Sequence, residues 1–382
     1  MTHHGNPADT PEARGPLQVA RRQQLLEALQ RDGALRISDL SQALGAAAVT
    51  IRRDIAQLAA EGLVRRVHGG VALITPDGAA PADPGPAAVP AAGPDGFGGR
   101  TLGMLVPSLD YYWPEVARGA EEAARELDMR VVLRGSSYES EDDQPHLARL
   151  LDRTGVDGLI VAPRMDAPST ERTVGWLHRA GVPVVLLERT ATVGAAHAVM
   201  ESVVTDHALG AATAVRHLSS LGHRRVGLVL DSNSPTSPHV RRGWFEATTE
   251  CGMAADSTVE TLVPDARSPD RDAVLDGVLD QCEATGTTAL LVHADAEAIA
   301  LVQRCEERLV AVPRDLSIVA YDDEVAALGN PPLTAVRPPR RSIGRAAVRL
   351  VADRLADAER PAHRVVISPS LRIRESTAAP RG

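Results

Sequence analysis

TLGMLVPSLDYYWPEVARGAEEAARELDMRVVL, residues 101–133, decides the fold of most of the chain. A short apolar run, TLGMLVPS, gives way to a helical stretch, PEVARGAEEAARELDM, and then to a second apolar run that opens RVVLRGSS. The alternation continues through QPHLARLLDRTG, VDGLIVAP, TERTVGWLHRAG and VPVVLLER. HALGAATAVRHLSSLGHRRVGLVLDS, residues 207–232, opens a second series that runs on through RRGWFEATTECG, ALLVHADAEAIALVQRCEE and DLSIVAYDD. Strands and helices alternating at this spacing build parallel sheets covered by helices on both faces. Two successive α/β halves are predicted, and in such sheets a ligand sits beyond the carboxyl ends of the strands.

Those strand ends hold the unusual residues. Only nine residues are aromatic, and three of them, Tyr111, Tyr112 and Trp113, stand together after the first strand, between Asp110 and Pro114. Flat rings there can stack on the C–H face of a sugar or on a base, and tyrosine hydroxyls can donate. Equally, one ring can staple the helix start while the others fill the core. Charge marks further strand ends: Arg164 after VAP, Glu188 and Arg189 after VVLL, Asp295 after LLVHA, and Asp322 with Asp323 after IVAY. Each alone serves as well for a cap or a surface pair. Together they suggest one cleft, because carboxylates and guanidinium forks hold vicinal hydroxyls and are costly in a core without partners.

A chain of 382 residues allows two or three domains, and 44% hydrophobic with 24% charged residues fits a globular protein. Apolar runs are broken by charge before the roughly 18–20 residues of a membrane span. The opening MTHHGNPADTPEARGP lacks the pattern of a secretory signal, so a cytoplasmic protein is expected, and a transport-type binding protein becomes the distant alternative. Cys251, Cys282 and Cys305 form no disulfide framework, and neither they nor the scattered histidines have metal-ligand spacing. No GxSxG, P-loop, HExxH or Cys–His pairing occurs, so no enzyme, cofactor or metal site is predicted. All 41 basic residues are arginine, and the net charge is −9. Residues 17–74 carry eight arginines against five acids, a net +3, which leaves −12 for the rest. A basic module on an acidic body suggests one end that meets phosphate.

Residues 76–99 hold six prolines, six glycines and seven alanines, too little apolar surface to offset ordering entropy, and read as a flexible tether. Before it, VARRQQLLEALQRDG, ISDLSQALG and VTIRRDIAQLAAEGLV read as three short helices, the arrangement of a helix-turn-helix. The third carries Arg52 and Arg53 at its N-terminal end, where a recognition helix meets the groove. LVRRVHGGVAL then forms two strands about a turn, a wing with Arg65, Arg66 and His68 near its tip. An arginine pair alone is more often a solvated face; the order of the elements raises the signal.

LSQALG, TIRRDI and RRVHGG, at these spacings, resemble the winged helix of DeoR-type bacterial transcription regulators over residues 17–75. The resemblance implies that Thr50, Arg52 and Arg53 enter or flank the major groove while Arg65, Arg66 and His68 hold phosphates. One departure is Ala47 where that family has serine, so the third helix lacks a hydroxyl cap worth about 0.5–2 kcal/mol.

VDGLIVAP, GVPVVLLER, the TDHALGAATAVRHLSSLGHRRVGLV run, VPRDLSIVAYDDEVA and PPLTAVRPP resemble the effector-binding domain of LacI-type regulators, which shares the fold of periplasmic sugar-binding proteins, over residues 100–377. This implies a two-lobed body with two doubly wound parallel sheets. The N-lobe would span 100–205 and 328–360, the C-lobe 206–327 and 361–377. Asp110, Tyr111, Tyr112, Trp113, Arg189, Asp295 and Asp322 would touch the effector, with Arg164 and Glu188 beside them. Where the family places an arginine before its Gly-aromatic pair, this chain has Val240 before Gly243-Trp244, so Arg241 or Arg242 is the candidate. Asp206 is either the aspartate of the crossover or an N-cap.

The expected protein is thus a DNA-binding transcriptional regulator, read as a repressor. Its partners are operator DNA and a small effector, a sugar first and a nucleobase or other polar metabolite second. LacI-type regulators join head to body by a hinge helix; residues 76–99 could not form one, so two heads are expected to be paired by homodimerisation of the bodies.

Overall fold

The computed structural model describes residues 24–29, 34–36, 40, 54, 55, 58, 63–67, 70–73, 98–136, 142–253, 259–264 and 267–381, with backbone alone at 34–36, 65–67 and 70–73. The chain divides into two compact units between Pro90 and Ala91, inside the stretch read as a tether.

In the first unit, β1 (Ala34–Arg36), β2 (Val64–Val67) and β3 (Gly70–Leu73) form an antiparallel sheet in the order β1-β3-β2. Val64 pairs with Leu73 and Val67 with Gly70, the ladder predicted for the wing. β1 was not anticipated: three residues show no period, and its strand character comes from pairing Leu35 with Val71. Leu25, Leu29, Leu40, Ile55, Leu58 and Val64 share one core. Thr50, Arg52, Arg53 and His68 lie outside the described residues, and Arg65 and Arg66 are described only as backbone of β2.

The second unit begins with β4 (Thr101–Val106), α1 (Trp113–Glu126), β5 (Arg130–Gly135), α2 (Gln144–Arg149) running into a π-turn at Leu150–Thr154, β6 (Gly158–Val161), α3 (Thr170–His178) and β7 (Val184–Leu187). A small antiparallel hairpin, β8 (Thr192–Val193) with β9 (Ala198–Val199), precedes β10 (Glu201–Thr205). The second lobe follows with α4 (His207–Ser220), β11 (Val226–Asp231), α5 (Ser237–Glu250), β12 (Glu260–Val263), α6 (Arg271–Thr285), β13 (Ala289–His293), α7 (Asp295–Glu307), β14 (Ser317–Tyr321) and β15 (Thr334–Arg337). α8 (Arg340–Ala356) and β16 (Arg364–Ile367) return to the first lobe, and β17 (Ser370–Arg372) completes the second.

One sheet has the order β16-β10-β7-β6-β4-β5, all parallel; the other runs β12-β11-β13-β14-β15-β17, parallel except that β17 is antiparallel to β15. Every residue of β4, β6, β13 and β14 is buried, as strands covered on both faces require. The predicted lobe limits need correction. β15 pairs with β14, so residues 328–337 belong to the second lobe, and β16 pairs with β10, so the first lobe extends past residue 360. The chain therefore crosses between lobes three times, at 205–206, 338–339 and 368–369. TAVR and RVVI are both short runs of strand-forming residues, and which sheet each joins is settled by pairing.

Candidate ligand-binding cleft

In each sheet the first strand lies between the second and third: β4 between β5 and β6, β11 between β12 and β13. The chain leaves those strands toward opposite sides, which opens a crevice at their carboxyl ends. The residues just beyond them line one cleft of about 310 Å³. Tyr111, Tyr112 and Trp113 follow β4, and Glu188 and Arg189 follow β7. From the other lobe come His207 at the start of α4, Asp231 and the Asn233–Thr236 loop after β11, His293 and Ala294 at the end of β13, and Asp322 after β14. Three of these non-glycine residues adopt left-handed backbone, Tyr111 (φ 60°), Glu188 (φ 52°) and Asp322 (φ 94°), a strain of about 1–3 kcal/mol each that persists where surrounding structure holds a site in place.

Glu188 organises one wall. Its Oε1 accepts from Tyr112 Oη at 2.5 Å and Thr205 Oγ1 at 2.7 Å, while Oε2 accepts from the Thr205 amide at 2.8 Å and lies 3.5 Å from His207 Nε2. Burial alone would raise its pKa; the His207 imidazole and the other donors outweigh it and bring the carboxyl down to about 2. His207 Nδ1 in turn stands 3.1 Å from the hydroxyl of buried Tyr321, and Tyr321 Oη donates to the His207 carbonyl at 3.2 Å. Tyr112 is thereby held from one side by its hydroxyl, and from another by the Arg340 guanidinium, 5.8 Å from its ring centroid.

Asp322 faces the cleft with fewer partners. Tyr111 Oη donates to its Oδ2 at 3.3 Å, and Arg340 donates to its carbonyl at 2.8 Å. Burial pushes the Asp322 carboxyl up to about 6, against the pull of His207 and Arg340. A carboxylate beside an exposed tyrosine, in a cleft that Asn233, Ser234 and Thr236 also line, offers a small polar molecule both acceptors and donors.

The predicted residues divide accordingly. Tyr111, Tyr112, Glu188, Arg189 and Asp322 line the cleft. Trp113 lines it too, yet is 3% exposed and belongs mainly to the core with Val116 and Ala120, as the core-filling reading of the aromatic run has it for this ring. Asp110 is exposed and outside the lining. Arg164 is turned to Asp166, bonding it through Nε and Nη2 at 3.2 Å each. Arg241 pairs with Glu260 on the outside, Arg242 is exposed, and Val240 is core, so neither arginine enters the cleft. Asp295 is fully buried and accepts the amides of Asp323, Glu324, Val325 and Ala326 at 2.7–3.2 Å; it shapes the loop behind Asp322 and lies outside the cleft lining. Asp323 bridges Arg337 and Arg374. Asp206 caps α4, accepting from the Leu209 amide at 2.9 Å. Sequence reasoning missed His207, Asp231, the Asn233–Thr236 loop and His293. DSNSPT follows a strand as DYYW does, so the carboxyl-end rule applied to β11 would have found the loop; the histidines carried no spacing to betray them.

Among the described residues no helix is long and apolar enough to cross a membrane, and no cluster could hold a metal ion. Residues 215–377 match the model of a periplasmic binding protein-like domain, and residues 21–77 that of a DeoR-like helix-turn-helix domain. An HTH-type transcriptional regulator encoded in the aml 5' region of Streptomyces limosus is 30% identical over 72% of this chain and 78% of its own length. The regulator DegA of Bacillus subtilis is 26% identical over 72% of this chain and 80% of its own. The crystal structure of a LacI family transcriptional regulator from Enterococcus faecium with bound ribose superposes with a TM-score of 0.59, at 26% identity, covering 73% of this chain and 99% of that one. Two α/β lobes about a polar cleft, behind a helix-turn-helix head, define an effector-responsive DNA-binding regulator. The chain belongs to the LacI-type transcriptional regulators, with a head of the DeoR type.

Proposed function

We propose that this regulator is an operator-binding repressor whose cleft takes a neutral monosaccharide. The observation that carries the reading is that Tyr111, bonded to the Asp322 carboxylate, and Tyr112 line one cleft with Asn233, Ser234 and Thr236. Ring faces suit the C–H surface of a sugar, and the polar groups suit its hydroxyls. A volume of about 310 Å³ stands at the low end of the roughly 300–1,000 Å³ of small-molecule sites, the size for one sugar ring. Ribose in the Enterococcus faecium relative supports the same class. Thr50, Arg52 and Arg53 would read or flank the major groove and Arg65, Arg66 and His68 would hold phosphates, with two copies of the chain on a two-half-site operator. Thermal melts of the full chain with pentoses, hexoses and nucleobases test the ligand class. A sugar at a hundred times its Kd should stabilise by about 2.7 kcal/mol; a response to nucleobases alone would replace the sugar reading. Retardation of a promoter fragment with and without that sugar tests repression.

A further inference from the structure

Arg340 opens α8, a helix of the first lobe that packs on α1 and on β6, β7 and β10, yet its guanidinium is spent on the second lobe. Nη1 donates to the Asp322 carbonyl at 2.8 Å and Nη2 to the Asp323 carbonyl at 3.4 Å, and Nη1 stands 2.7 Å from the Glu324 carboxylate. The arginine side chain is buried. The loop it grips is anchored within its own lobe: Asp295 accepts the four amides from Asp323 to Ala326, and Arg337 and Arg374 hold the Asp323 carboxylate. Asp322 (φ 94°) and Asp323 (φ 53°) are both left-handed, a conformation that side chains disfavour, and two such residues in succession turn both carbonyls to one guanidinium. Arg340 stands immediately after the crossing at 338–339, so a change of angle there moves its guanidinium against a loop that cannot follow.

We propose that Arg340 is a hinge clamp: by bonding the 322–324 loop it holds the two lobes in one arrangement, closed over the cleft, before any small molecule arrives. The inference goes beyond the reading of the cleft as a sugar site and does not depend on which molecule the cleft takes. Tyr111 to Asp322 and His207 to Glu188 add contacts between the same lobes, and the planar fork of an arginine is the group suited to hold several acceptors in fixed geometry at a buried boundary. A hydrogen bond from a charged group contributes about tenfold or more to the ratio of closed to open forms. Without the clamp an effector must itself supply the closure, and its apparent affinity falls by the fraction of closed molecules.

Pulsed electron–electron resonance on the full chain, with no small molecule added, reads the angle directly. Nitroxides go on Glu171→Cys in α3 and Ala273→Cys in α6, both exposed and one in each lobe, in a Cys251→Ser background that leaves only the buried Cys282 and Cys305. The otherwise unaltered chain should give one narrow distance, with an open form below about 10%. Arg340→Met, which keeps the length of the side chain and removes its donors, should add a longer distance that becomes the larger population. Arg340→Lys, a point charge that still faces Glu324 and has lost the fork, should fall between the two. An arginine that merely supports the fold would lower the melting temperature of both variants and leave the distance in the folded molecules unmoved. Distributions of Arg340→Met that superpose on those of the parent overturn the proposal; should that variant not fold, Arg340→Lys decides in the same way. A parent chain that already shows two comparable distances overturns it as well.

Discussion

Burial and charge act in opposite directions on the two carboxylates that frame the cleft, and pH separates them. Asp322 has a folded-state pKa of about 6, above its ordinary value, so the folded chain binds the extra proton. Its contribution to stability is full below about pH 4 and is lost as pH rises through 6. Asp322→Asn removes that titration. Its melting midpoint should exceed wild type at pH 7.5, by on the order of 1 kcal/mol, and the difference should vanish toward pH 4. Melts at pH 4–8 check this; a constant difference would show that Asp322 does not titrate there. Glu188, held down to about 2, behaves in the reverse sense: its contribution is present above its ordinary value and is lost as pH falls toward 2. At this scale the sequence disclosed Tyr111, Tyr112, Glu188, Arg189 and Asp322 as cleft-lining residues, because they follow strands whose carboxyl ends border the crevice of such sheets. It misplaced Asp295 and Arg164, which occupy strand ends too but find amides and Asp166 as partners. Position along a strand is legible, and the partner a side chain meets on arrival is not.

Elements are positioned by a few close approaches. A Cβ on Gly119 would stand 2.0 Å from the Arg341 carbonyl oxygen, and one on Gly344 1.9 Å from that of Val116, so α1 and α8 touch backbone to backbone. Gly344→Ala must push the helices apart and should cost about 1–3 kcal/mol. Gly277 in α6 has nothing within 4 Å, and alanine there should instead stabilise by roughly 0.5–1 kcal/mol through helix propensity. Denaturant unfolding of the two variants should give shifts of opposite sign. The loop after β14 depends on Asp295 in the same way: Asp295→Ala strands four amides, two of them in buried hydrogen bonds, an expected loss on the order of 3–5 kcal/mol. A sugar-induced shift in melting should shrink with it, because Asp322 loses its support.

For the whole molecule, the decisive quantity is the coupling between effector and DNA. An effector that favours one arrangement of the two lobes changes operator affinity by about 5–150-fold in typical allosteric proteins. The tether composition at 76–99 predicts a value near the lower limit, and shortening it to a few residues should alter the ratio of operator affinities with and without sugar. Unchanged coupling would refute a loose tether. Arg52→Ala should weaken binding to a promoter fragment and flatten the slope of log K against log salt by about 0.9, the signature of one lost phosphate contact.

The sequence by itself determined the division into head and body, the class of each, and the strands whose ends border the cleft, because composition and period act locally along the chain. Tertiary structure alone decided which sheet β15 and β16 join, which strand-end charges face the cleft and which are spent on amides or neighbours, and that His207 and His293 line the cleft. Those outcomes depend on pairing and contact between residues tens to hundreds of positions apart, where no periodicity carries the information.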